Sequence, residues 1–227
     1  LETLAQMSPW ARVAIGDPDI ARGWKDELLR LIFACCHPAL APGESAALAL
    51  ATVLGLSTTE IAGAFVIPPR SMEQRLTRAR RRLREAGDHE GTRPEDARER
   101  LDAVLRTLHL LFNEGYWSTD DRAPIRAELC RLAIGLARSV HEAFPREPEV
   151  AGLLALLLLP DARRGARVRG AIPVPLPDQD RSRWDRDAIA AATRLLERAL
   201  SAGAPGPFQI EAAIAAVHSR AAAADET

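Results

Sequence analysis

Seven arginines and a single acid fall within residues 70–84, RSMEQRLTRARRRLR, of a chain whose formal net charge is only -1. Guanidinium groups at that density do one kind of chemistry well: their paired N–H donors grip phosphate oxygens and, bidentately, the edge of guanine. Three other stretches hold residues capable of chemistry. Cys35, Cys36 and His37 are adjacent. Neighbouring helical side chains diverge by ~100° and structural zinc wants four ligands, so small buried thiols at a helix end are expected in place of a metal site. FNEGYW (112–117) and LPDQDRSRWD (176–185), with Asp161 between them, supply Glu114, Asp161, Asp178, Asp180 and Asp185. These could act as acid and base if they met in a cleft. Structural roles compete for them. Glu114 precedes Gly115 at a helix end, Asp161 can pair with Arg163 or Arg164, and Asp180 or Asp185 can cap a following helix. Tyr116, Trp117 and Trp184 are expected to anchor helix pairs or a partner. There is no Gly-rich phosphate loop, nucleophile elbow or HExxH. No catalytic residue, cofactor or metal is expected, and the chain does not read as an enzyme.

The elements that position these residues are helical. Alanine, leucine, arginine and glutamate dominate, aromatics make up 4%, and one lysine, Lys25, stands against twenty-nine arginines. That composition favours an all-α fold. A helix is expected to start near Lys25 and end at Pro38 or Pro42, and a second spans Glu44 to Leu54 with Gly55 as a left-handed cap. STTE (57–60) is a capping box opening a short helix to about Phe65. VIPP (66–69) makes a turn, with Pro69 suited to a first helical position. The arginine-rich helix then runs to Gly87.

The polar stretch GDHEGTRPED (87–96) marks a boundary, and further helices are expected near 97–113, 125–144, 147–159, 185–202 and 207–222. Their pairing suggests a tetratricopeptide-like stack, although no clean 34-residue repeat is present. Residues 163–183 are too proline-rich to be regular. The apolar run GLLALLLL (152–159) is shorter than the roughly 20 residues of a membrane span. Charge divides along the same boundary: residues 25–86 hold nine basic and six acidic side chains, a net of +3, so the remainder carries -4. Three cysteines, two of them adjacent, make no disulfide framework and suit a reducing cytoplasm.

On a helical projection Met72, Leu76, Ala79 and Leu83 fall within about 60° of one another, a narrow stripe for burial. Arg70, Ser71, Gln74, Thr77, Arg78 and Arg81 stand opposite, flanked by Arg75 and Arg82. A solvated charged face is the bland account of such a helix. A membrane-surface helix fits poorly, because the stripe lacks large anchoring side chains. A capped helix of about eight residues, a turn and a polar-faced helix is instead the layout of a helix-turn-helix. Ile61, Ala62 and Phe65 would pack on Met72 and Leu76, leaving the second helix free to enter a major groove.

GLSTTEIAGAFVIPPRSMEQRLTRARRRLREAG resembles region 4 of bacterial extracytoplasmic-function sigma factors of the sigma-70 family. Glu60, Ile61 and Ala62 match its first helix and Ile67 its turn, Ser71 stands for the usual Thr, and Arg75, Leu76, Arg78, Ala79, Arg80 and Leu83 match its second helix. Arg70 replaces the usual small turn residue, and Pro68-Pro69 stiffens the entry. LLRLIFACCHPALAP, RLDAVLRTLHLLFNEGYW, LLALLLLPDARR, LPDQDRSRWDRDAI and GPFQIEAAIAAVH resemble a subgroup with a long helical C-terminal extension. The resemblance implies a subunit of bacterial RNA polymerase, whose second helix binds the promoter -35 element while its other face and the preceding helix hold the polymerase β-flap. For the extension it implies only a modulating role.

The expected organisation is therefore a linker over 1–24, a region 4 helix-turn-helix domain over 25–87 and a helical extension over 97–227. The base-facing candidates are Arg70, Ser71, Gln74 and Arg78. The phosphate candidates are Arg75, Arg81 and Arg82, with Thr59 from the first helix. Nothing resembles region 2, and the chain starts at Leu1, so a fragment of a longer protein is expected, one that binds DNA weakly and does not initiate transcription alone. Two other readings compete: a dimeric helix-turn-helix regulator independent of polymerase, and a protein-interaction scaffold in which the basic helix packs on an acidic surface of its own extension.

Overall fold

The computed structural model of the chain describes residues 27–86, 94–118, 125–170 and 172–220. The linker expected over 1–24, the helix start at Lys25 and the polar stretch 87–93 lie outside them. Among the described residues the regular structure is nine α-helices, three 3-10 turns and two strands of two residues each. The fold is all-α, and the chain divides into two compact units, Leu1–Leu111 and Phe112–Thr227.

In the first unit, α1 (Glu27–Cys35) buries Leu29, Leu31, Ile32, Phe33 and Cys35. α2 (Pro42–Thr52) buries everything from Ser45 to Leu50 and packs against α1, α3 (Thr58–Ala64) and α4 (Pro69–Ala86). Alanine at 46, 47 and 49 makes this close approach on several sides possible without voids. α2 ends as expected, with Gly55 at φ +70. α5 (Pro94–Tyr116) begins in this unit too. Arg100 Nη1 donates to the Phe33 carbonyl at 3.4 Å, and the Thr107 hydroxyl meets the Cys36 thiol. The division between units thus falls inside α5, whereas composition points to residues 87–96. A polar linker is visible in sequence, but the return of the next helix onto α1 is not.

The second unit is built on α7 (Pro148–Asp161), which buries all residues from Val150 to Leu157 and also Leu159. It packs against α6 (Ala127–Ala143), α8 (Arg186–Leu200) and α9 (Pro207–Arg220). Gly152 permits the crossing with α9: a Cβ there would lie 2.6 Å from Gln209 Cγ and 2.9 Å from its backbone nitrogen. Gly115, near the end of α5, does the same against α6, where a Cβ would meet Cys130 N at 2.8 Å. The proline-rich connection is more regular than expected. Val168–Arg169 and Ile172–Pro173 pair antiparallel about Gly170, which has φ +66, and 3-10 turns stand on either side. Among the described residues no helix is long and apolar enough to cross a membrane.

Candidate nucleic-acid interface

Local sequence builds the two-helix unit. Ser57 Oγ accepts from Glu60 N at 3.2 Å and Glu60 Oε2 accepts from Ser57 N at 2.6 Å, a closed capping box that starts α3. The helix stops at Phe65, and Val66 takes φ 53, a left-handed conformation that few β-branched residues adopt. Ile67 N then bonds back to Ala62 O at 3.0 Å, which closes the turn. Pro69 opens α4, a position where its missing N–H costs nothing.

α4 buries Met72, Leu76 and Ala79, and Leu83 packs partly buried against a cluster of Leu40, Leu48 and Ala79. The stripe read from sequence is the docking edge. Only two large side chains are fully buried on it, worth about 1.5–3 kcal/mol each. Ile61 and Ala62 are buried on α3, which packs against α4. Phe65 is half-buried, with a ring carbon 3.6 Å from where a Cβ on Gly43 would sit.

The candidate contact residues separate into two groups. Arg70, Ser71, Gln74 and Arg78 are exposed along one side of α4, and Thr59 is exposed on α3. Neither Arg70 nor Arg78 has an ion-pair partner among the described residues. The three phosphate candidates on α4 are engaged. Arg75 is half-buried, its guanidinium 5.6 Å from the Phe65 ring centroid. Arg81 lies 3.6 Å from Glu85 one turn on, an exposed pair worth little. Arg82 Nη1 meets both Glu44 oxygens, at 2.9 and 2.7 Å, and the same carboxylate accepts from Ala41 N at 3.2 Å. Arg82 therefore ties α4 to the first turn of α2, and it can reach phosphate only by giving up that pair. The tie crosses 38 positions of sequence, beyond any local pattern.

The cysteine-histidine triplet points three ways. Cys35 Sγ lies 3.7 Å from Thr52 Oγ1, Cys36 faces Thr107, and His37 Nδ1 accepts from Ala39 N at 3.1 Å. Burial pushes the Cys35 thiol up to about 12, and it pushes Cys36 up further; Cys130 rises to about 11 for the same reason. All three are protonated and unreactive at neutral pH. The acids of the second unit take the structural roles expected of them. Asp161 pairs with Arg164 at 2.9 Å, with burial holding its carboxyl above the usual range. Asp180 accepts from Ser182 N and Oγ, and Asp185 caps α8 by accepting from Ala188 N at 2.9 Å. Glu114 is buried and accepts from Ser118 Oγ at 3.2 Å.

Comparison with known proteins agrees with this geometry. Residues 30–83 match the family described as Sigma-70, region 4, and residues 100–200 match a family of unknown function, DUF6596. An uncharacterized protein of Rhizobium meliloti (strain 1021) is 45% identical over 207 residues, which is 90% of this chain. The chain spans about half the length of that relative, 49% of it. No solved structure matches. The two-helix unit carrying the arginine-rich helix, and the helical unit after it, are thus those of a sigma-70 region 4, a DNA-binding helix-turn-helix of a transcription factor family, joined to a C-terminal extension of the DUF6596 family.

Proposed function

We propose that this chain directs bacterial RNA polymerase to promoters as part of an extracytoplasmic-function sigma factor, with α4 reading the -35 element. One observation carries the reading: over the first turns of α4, Arg70, Ser71, Gln74 and Arg78 stand exposed together on the side opposite the buried stripe. In a major groove such a face offers guanidinium forks to guanine, an amide to adenine and a hydroxyl to either. Arg75, Arg81 and Thr59 border it as phosphate contacts, and Arg82 serves mainly as an internal tie. The polymerase β-flap is held by the opposite side of the two-helix unit together with the preceding helix. The extension modulates activity in the cytoplasm.

The test is fluorescence anisotropy on duplexes selected from a randomised pool. Arg78→Ala is expected to weaken binding by about 1–3 kcal/mol, roughly 10- to 100-fold, and unequally among sequences. Equal losses on every sequence would reduce Arg78 to a phosphate contact. No binding by the wild-type chain even at low salt would sink the reading. Co-purification with core polymerase separates it from a regulator that acts without polymerase.

A further inference from the structure

A second arginine cluster lies in the extension, where neither family assignment nor DNA recognition accounts for it. Arg163 is 8% exposed, and its Nε and Nη1 are buried without a hydrogen-bond partner among the described residues. Its guanidinium lies 5.5 Å from the ring centroid of buried Trp184, and Arg181 lies 4.7 Å from the same ring. Arg167 stacks 3.9 Å from the Tyr116 centroid and 5.0 Å from that of Trp117, and its Nε donates to the Tyr116 carbonyl at 3.2 Å. Trp117 itself is 58% exposed, an unusual state for the largest apolar side chain.

Of the nearby acids, Asp161 pairs with Arg164, and Asp180 and Asp185 serve as caps. Among the described residues no carboxylate pairs with Arg163 or Arg167. The C-terminal ends of α5 and α7 lie in this region and attract cations, but each contributes only about half a negative charge. Ring faces add some compensation. That leaves Arg163 a nearly buried guanidinium with two donors, Nε and Nη1, unmet among the described residues, which is costly unless an anion completes it.

We propose that Arg163, Arg167 and Arg181, walled by Tyr116, Trp117 and Trp184, form a binding site for a phosphate-bearing anion. A planar guanidinium pair suits the tetrahedral oxygens of a phosphate, and the exposed indole of Trp117 offers a stacking surface to an attached base. The phosphate could come from a small nucleotide or from a nucleic-acid backbone; the chemistry recognised is the same. The site is independent of whether α4 reads a promoter.

Isothermal titration of the whole chain with inorganic pyrophosphate, AMP and a duplex DNA tests this. Saturable one-to-one binding of pyrophosphate or AMP is expected at an ionic strength held constant with sodium chloride. Arg167→Gln should weaken it at least tenfold, whereas Arg78→Ala on α4 should change it less than twofold. Trp117→Ala should weaken AMP more than pyrophosphate. If Arg167→Gln fails to fold, Arg181→Gln at the rim takes its place with the same expectation. If only duplex DNA binds and Arg167→Gln weakens it, the site stands with nucleic acid as its source of phosphate. Two results would overturn the proposal. One is an Arg78→Ala loss with no effect of either extension variant, which would put the anion on α4. The other is no saturable binding of pyrophosphate or AMP together with unchanged duplex affinity in Arg167→Gln.

Discussion

At the scale of single residues, Val66 is the position where the chain departs most from what its side chain prefers. Its φ of 53 places a β-branched residue in the left-handed region, and 90% of its surface is exposed, so the side chain recovers nothing by packing. The conformation costs about 1–2 kcal/mol for a residue with a Cβ. It persists because Ile67 N must reach Ala62 O to bring α4 back across α3. Glycine would remove the steric cost while losing about 0.5–1 kcal/mol to the greater freedom of its unfolded chain. Val66→Gly is therefore expected to stabilise the two-helix unit by about 0.5–1 kcal/mol and raise its melting temperature by a few degrees. A lowered melting temperature would mean that the valine makes a contribution other than its backbone. The charged residues follow a different rule. Seven arginines look alike in sequence, but Glu44 takes Arg82, Glu85 pairs with Arg81 and Phe65 takes Arg75, which leaves Arg70, Arg78, Arg80 and Arg84 exposed without an ion pair among the described residues.

At the scale of elements, the extension is held by a carboxylate that acts across chain distance. Glu149 Oε2 accepts from Phe208 N at 3.1 Å, and Oε1 accepts from Gln209 N and Gln209 Nε2, both at 3.1 Å. A residue of α7 thereby supplies the N-terminal acceptor that α9 needs, with a negative charge at the positive end of its dipole. Glu149→Ala is expected to cost about 1–3 kcal/mol, and Glu149→Gln less, since the amide oxygen still accepts. Thermal unfolding of the second unit measures both: equal losses in the two variants would put the effect in the charge alone, and no loss in either would show that neither the charge nor the bonds matter. Legibility in the sequence follows the same distinction between near and far. The Ser57–Glu60 capping box, the Gly55 cap and the stripe of Met72, Leu76 and Ala79 were readable because every partner lies within a few positions. The helices of the extension were readable from apolar periodicity and Gly/Pro punctuation. Glu149 on α9, Glu44 on Arg82 and the close crossings at Gly115 and Gly152 were not, since nothing in a local window says which helix a residue will face.

At the scale of the whole chain, the question is where the DNA-binding unit ends and what the rest does to it. The start of α5 belongs with region 4: Arg100 holds the Phe33 carbonyl and Thr107 meets Cys36. A chain cut after residue 96 loses that cover of α1 and is expected to be less stable by several kcal/mol than one cut after Tyr116, which keeps α5 entire. Circular dichroism melts of the two would show it, and equal melting temperatures would return the boundary to the polar linker. The longer of the two truncations then tests what the extension does to DNA binding. Residues 25–86 carry +3, residues 1–24 carry -1 and residues 87–116 carry -3, so residues 117–227 are neutral overall. Long-range charge therefore gives their removal no reason to tighten DNA binding. The Debye length is about 30 Å at 0.01 M salt and about 8 Å at 0.15 M. The truncated and full chains are expected to bind duplex within about twofold of each other at both ionic strengths on charge alone. Anisotropy at the two ionic strengths decides it: matched affinities would remove masking by the extension, and tighter binding by the truncated chain would call for direct contact in place of long-range charge.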